Sequence, residues 1–138
     1  MSIDAGLILD GWQSDSAFTA GVGRISDIGH VVQQYVEQRG FGTVRALCGH
    51  GIGKEMHEDP SVPNYGIPGH GVRLRRGMAL CIEPMITAGD YHVKTLRDGW
   101  TVVTSDGSLA SHYEHTILIT DGEPELLSLP GFNKEEKR

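Results

Sequence analysis

The 138-residue sequence has few cysteines, no long apolar run and less positive than negative charge, and each shortage removes a class of protein. Only Cys48 and Cys81 occur, and without CxxC spacing. They can build neither a disulfide framework nor a thiolate zinc cluster. Both read as small buried thiols, with the alternative that Cys48, next to Gly49-His50, senses redox state near a metal. No stretch is long and apolar enough to cross a bilayer, and no basic n-region with an h-region opens the chain. The expectation is a cytoplasmic protein without a membrane partner. Twelve Lys and Arg against eighteen Asp and Glu give a net charge of −6, so the basic face that nucleic acid requires is not expected. Repeats and low-complexity segments are missing too.

What is present suits one globular domain with a modest core, since hydrophobic residues make up 38%. Ser2 to Leu9 and Trp12 to Thr19 flank Asp10-Gly11, a strong type I′ hairpin signal. With those two residues as the loop, Asp4 and Asp15 point to the same side, with Cβ atoms roughly 7 Å apart as diagonal neighbours. An amphipathic helix is expected from Asp27 to Arg39, with Ser26 as N-cap and Gly40 as the C′ residue. Its stripe of Ile28, Val31, Val32, Tyr35 and Val36 should cover a sheet. Residues 49–77, rich in Gly, Pro and His, form a long ordered loop with short strands. Met78 to Ile86, Val93 to Leu96, Trp100 to Thr104 and Ser111 to Thr120 read as further strands. Asp98-Gly99 and Asp106-Gly107 mark turns between them. The domain is expected to occupy residues 1–132, leaving 133–138 as a charged tail.

Within this frame Asp4, Asp15, His50, Glu83 and Glu114 read as one dinuclear metal site. Glu83 is a charge inside an apolar strand, and a buried carboxylate needs a partner. An arginine would pair it structurally; a metal ion would do so chemically. The metal reading is favoured because Glu114 repeats the anomaly in another strand and two co-facial aspartates accompany them. His50 lies between Gly49 and Gly51, which let backbones approach closely and leave its imidazole free. An oxygen-rich set with one imidazole suits two hard or borderline divalent ions, and such a pair can polarise a scissile carbonyl. His57, in Met56-His-Glu-Asp-Pro60, reads either as a donor to a substrate carbonyl or oxyanion or as part of a polar loop. His115 should face away from Glu114 and either support the ligands or be structural. His30 reads as a surface or boundary histidine rather than a ligand, and spacing assigns nothing to His70, His92 or His112.

The motifs Ser2-Ile-Asp4 with Asp15, Cys48-Gly-His-Gly-Ile-Gly53, Met56-His-Glu-Asp-Pro60, Ile82-Glu-Pro-Met85, Asp98-Gly-Trp-Thr101 and Tyr113-Glu-His-Thr116 together resemble methionine aminopeptidase type I. The resemblance runs in order from Ser2 to about Leu127. It implies an α+β, partial pita-bread fold of the creatinase/aminopeptidase kind, a curved and mostly antiparallel sheet with a covering helix. It also implies two divalent ions (Co, Mn, Fe or Zn) on Asp4, Asp15, His50, Glu83 and Glu114. By the same resemblance, Glu83 is the general base for the attacking water, His57 contacts the scissile amide, and Trp100 lies near the methionine side chain. Its substrates would be peptides and nascent chains with Met first. The family's N-terminal half has no counterpart in this sequence, and a second gap is expected near Gly23.

Two other functions compete. A proline-directed aminopeptidase of the same fold is disfavoured by the Cys48 to Gly53 run and by Asp98-Gly-Trp100. A catalytically inactive pita-bread remnant that binds proteins is disfavoured because all five ligand positions are kept. Self-association through a sheet edge is expected if half of the fold is missing.

Overall fold

The computed structural model describes residues 18–128. The hairpin with Asp4 and Asp15, and the charged tail, lie outside the described residues. Helix α1 spans Ile25–Glu37, starting and ending two residues before the expected limits. Ser26 is not its N-cap. The backbone N–H of Arg24 donates to Asp27 Oδ2 at 2.7 Å, while the Ser26 hydroxyl ties the helix start to His70. At the other end Gly40 adopts φ +78°, a conformation that a Cβ disfavours. There the N–H of Gly40 donates to the Glu37 carbonyl and that of Phe41 to the Val36 carbonyl, a Schellman closure.

Among the described residues ten short strands follow: β1 (Gly42–Thr43), β2 (Gly49–Gly51), β3 (Glu58–Val62), β4 (Ala79–Ile82), β5 (Met85–Thr87), β6 (Val93–Thr95), β7 (Val102–Thr104), β8 (Ala110–His112), β9 (His115–Leu118) and β10 (Glu125–Leu126). They form antiparallel sheets in the orders β10-β9-β4-β2-β3, β1-β5-β8 and β6-β7. The edge strand β3 carries Pro60 after Glu58 and Asp59, residues that weaken further pairing along an edge. Ile25, Ile28, Val32 and Val36 of α1 are buried with Val62, Leu80, Ile82, Ile117 and Ile119 in one core. Val31 and Tyr35, also expected on the buried stripe, pack at its margin.

The strand expected over Met78–Ile86 is two strands, β4 and β5, interrupted at Glu83-Pro84. That over Ser111–Thr120 is likewise divided into β8 and β9 at Tyr113-Glu114. At each interruption the chain leaves one sheet for the other, and Pro84 cannot donate a ladder hydrogen bond. The two crossings are neighbours, because Ile82 pairs with His115 and Met85 with His112. Glu83 and Glu114 therefore stand together where two sheets meet rather than inside strands.

Candidate metal centre

The register of the five-stranded sheet assembles the site. Ser61 is opposite His50, His50 opposite Cys81, and Cys81 opposite Thr116, making a row across four strands on one face. Leu80 and Ile82, the alternate residues of β4, face the helix-covered core instead. This row requires glycine on both sides of His50. A Cβ on Gly49 would lie 2.1 Å from the Cys81 carbonyl oxygen, and one on Gly51 would lie 2.3 Å from that of Asp59. The glycines expected to permit close approach do so against backbone atoms that cannot swing aside.

His50 Nδ1–H donates to the Gly51 carbonyl at 2.7 Å, and a carbonyl can only accept. That bond leaves a lone pair on Nε2, which lies 3.0 Å from Glu83 Oε1. The buried Oε1 has no hydrogen-bond donor. Two electron-pair donors thus face each other at contact distance, and a proton or a metal cation between them removes the conflict. Glu83 is fixed from its other end, where buried Asn64 donates from Nδ2 to its backbone carbonyl at 2.7 Å. Burial, and then the nearby Glu114 carboxylate, push the Glu83 carboxyl above its ordinary range. His112 Nε2, 3.4 Å from Glu83 Oε2, acts in the opposite direction.

One ligand atom each from His50, Cys81 and Glu114 lie within 4.8 Å of one another. The structure so brings together three of the five expected ligands: His50, Glu83 and Glu114. Asp4 and Asp15 lie outside the described residues. The donor set, with its orphaned carboxylate oxygen and oriented imidazole, fits a divalent cation. The His57 ring borders it, its centroid 4.2 Å from that of His50. Trp100 is 88% exposed after the Asp98 turn, where its backbone N–H donates to Asp98 Oδ1. His115 is buried and contacts Ser128 and Tyr113, as befits a structural residue.

Sequence reasoning missed His112 and Cys81. Both stand two residues before a suspected ligand, near the end of the strand that leads into each sheet crossing. Cys81 is buried as expected, and burial raises its thiol pKa. Cys48, expected to be buried, is exposed. It precedes the first residue of β2, so the sheet does not cover it. Beside the centre, β6, β7, β8 and residues 105–109 wall a cavity of about 1050 Å³ whose lining also includes Val44, Leu47 and Met85.

This assembly of antiparallel sheets around a His-Glu-Glu cluster has the makings of a metallohydrolase, and comparison with known proteins gives the class. Residues 23–121 match metallopeptidase family M24, and the chain belongs to that family. A curated relative, the methionine aminopeptidase of Clostridium acetobutylicum, is 49% identical over 157 residues, covering 94% of this chain and 63% of that protein. The alignment is longer than the chain itself, so the relative carries internal residues without a counterpart here. The methionine aminopeptidase of Thermotoga maritima superposes with a TM-score of 0.75 at 53% identity, over 78% of this chain and 43% of that one. An X-Pro aminopeptidase of Thermotoga maritima superposes with a TM-score of 0.55 at 22% identity, over 91% of this chain and 30% of that one, a likeness of fold alone. The fold is the expected partial pita-bread arrangement, and the chain spans less than two thirds of the length of these relatives. Among the described residues no helix is long and apolar enough to cross a membrane.

Proposed function

We propose that this chain is a metal-dependent methionyl aminopeptidase, releasing the first residue from peptides and nascent chains that begin with methionine. The observation that carries the reading is the approach of two lone-pair donors, His50 Nε2 and Glu83 Oε1, at 3.0 Å in a largely buried setting. Membership in a metallopeptidase family, and relatives named methionine aminopeptidase, give that geometry its chemistry. The proposed ligands are Asp4, Asp15, His50, Glu83 and Glu114, holding two divalent ions drawn from Co, Mn, Fe or Zn. When bound, these ions supply Lewis-acid polarisation of the scissile carbonyl.

The chain's own residues do the rest. Glu83, whose raised pKa improves it as a proton acceptor, takes the proton of the attacking water and delivers it to the leaving amine. His57, packed on the His50 ring, donates a hydrogen bond to the carbonyl oxygen as charge develops there. His112 steadies the second oxygen of Glu83, and Asn64 fixes its backbone. Trp100 is assigned to the methionine side chain by resemblance. Proline-directed hydrolysis is the weaker reading, because the X-Pro neighbour shares only the fold.

The test is methionine release from a Met-Ala-Ser peptide by the purified chain with Mn²⁺. Release that chelation stops and that Asp15→Ala and His57→Ala reduce is expected. Hydrolysis indifferent to chelator or to Asp15→Ala would refute the assignment. A chain that binds metal without cleaving the peptide would leave the protein-binding reading in its place.

A further inference from the structure

The acidic and imidazole ligands proposed above leave out the most deeply buried donor beside them. Cys81 is 1% exposed and stands opposite His50 on one side and Thr116 on the other. Its Sγ belongs to the group of three ligand atoms, with those of His50 and Glu114, that lie within 4.8 Å of one another. Its side-chain partners are Thr116, whose Oγ1 lies 3.5 Å away in a weak contact, and the carboxylate of Glu114, so the sulfur is held toward the centre rather than drawn away from it. Glu83 lies two residues on, just past the end of β4.

We propose that Cys81 is a sulfur donor of the metal centre, so that this chain selects a thiophilic divalent ion such as Zn²⁺, Co²⁺ or Cd²⁺ over a purely oxygen-seeking one. The inference rests on the metal centre proposed above. Soft thiolate changes the preference of an oxygen-rich site, because affinity follows donor softness as well as charge. On coordination the thiol releases its proton to solvent as the metal–sulfur bond forms, without a change of oxidation state. Thr116 stays beside the sulfur and holds its orientation.

Co²⁺ titration of the purified chain separates the two readings. Visible d–d absorption reports that the ion is bound; a near-ultraviolet sulfur-to-cobalt band reports that Cys81 touches it. Both bands are expected in the natural chain and in Cys48→Ser, with the ultraviolet band lost in Cys81→Ser and Cys81→Thr. Cd²⁺ affinity should fall about 10–100-fold in the same two variants, with Mn²⁺ affinity changed far less. Visible absorption without the ultraviolet band, or a band that survives Cys81→Ser, would overturn the sulfur ligand and leave the centre standing. No Co²⁺ absorption at all would overturn both. Should the Cys81 variants fail to fold, the cadmium NMR resonance of the natural chain decides: a strong downfield shift supports a sulfur ligand, and an oxygen-like position refutes it.

Discussion

Two of the places where the described chain passes between its two larger sheets carry a glutamate, and these two crossings solve the same problem differently. At the first, Glu83 has a side chain only 13% exposed, its backbone carbonyl is held by Asn64, and its carboxylate lies between His50 and His112. At the second, Glu114 is exposed, and its negative charge helps to raise the pKa of its neighbours Glu83 and Cys81. One carboxylate is placed rigidly and left short of a donor; the other brings charge from the solvent side. Placing two like charges side by side costs stability until a cation joins them. Under the proposed function the two would have separate duties, with Glu83 as the oriented, proton-accepting group and Glu114 as the one that completes the charge.

Removing either carboxylate breaks that division in a distinguishable way. Glu83→Gln should lower divalent-ion affinity by more than about 100-fold, since even supporting residues around a metal are worth 10–100-fold. The same variant should melt higher than the natural chain when both are held in chelator. The sign follows from the raised pKa: the charged form is disfavoured in the folded state, so stability falls as pH rises through the folded value. Glu114→Gln should weaken metal binding as well but give a smaller gain in chelator, because its side chain is exposed. Equal melting shifts in the two variants would erase the distinction between the crossings.

Gly49→Ala sharpens the comparison from beneath. The added methyl meets the Cys81 carbonyl, and overpacking of this kind costs about 1–3 kcal/mol. Thermal melts in chelator should register the loss, and unchanged stability would show that β2 can shift away. Asn64→Ala should cost about 1–3 kcal/mol by leaving the Glu83 carbonyl without its donor. It should also reduce metal affinity, and stability loss without any change in affinity would make Asn64 purely structural.

A smaller effect belongs to the exposed region after β7. There Asp106 accepts from the backbone N–H of Ser108 and of Asp90, and these bonds hold its carboxyl down to about 2. The bonds are in place above the usual Asp range and are lost as pH falls through about 2. Amide resonances of Ser108 and Asp90 should titrate together there, and Asp106→Asn should abolish the step. Weakest is the expected self-association through a sheet edge, which sedimentation at tens of micromolar would detect as a dimer; a monomer would contradict it.

Much of the inner frame was legible in the residues, because local patterns decide it. The α1 stripe, Gly40 after the helix and the Gly-His-Gly run each carry their own physical reason. The crossings were only half legible. An acidic residue in an apolar run announced Glu83, and Pro84 signalled where pairing must stop, yet the segment still read as one strand. Cys81 and His112 were missed for a different reason. Their positions follow from strand pairing between distant segments, which no local pattern records, although their two-residue spacing from Glu83 and Glu114 was visible. Cys48 shows the converse, since the burial habit of cysteine failed where the residue falls outside the sheet.

Calorimetric titration of Mn²⁺ into the natural chain and into Glu83→Gln tests the central claim most directly. Binding of about two ions per chain, lost in the variant, is the expected result. Equal binding by both, or none by the natural chain, would contradict a metal centre built where the sheets cross.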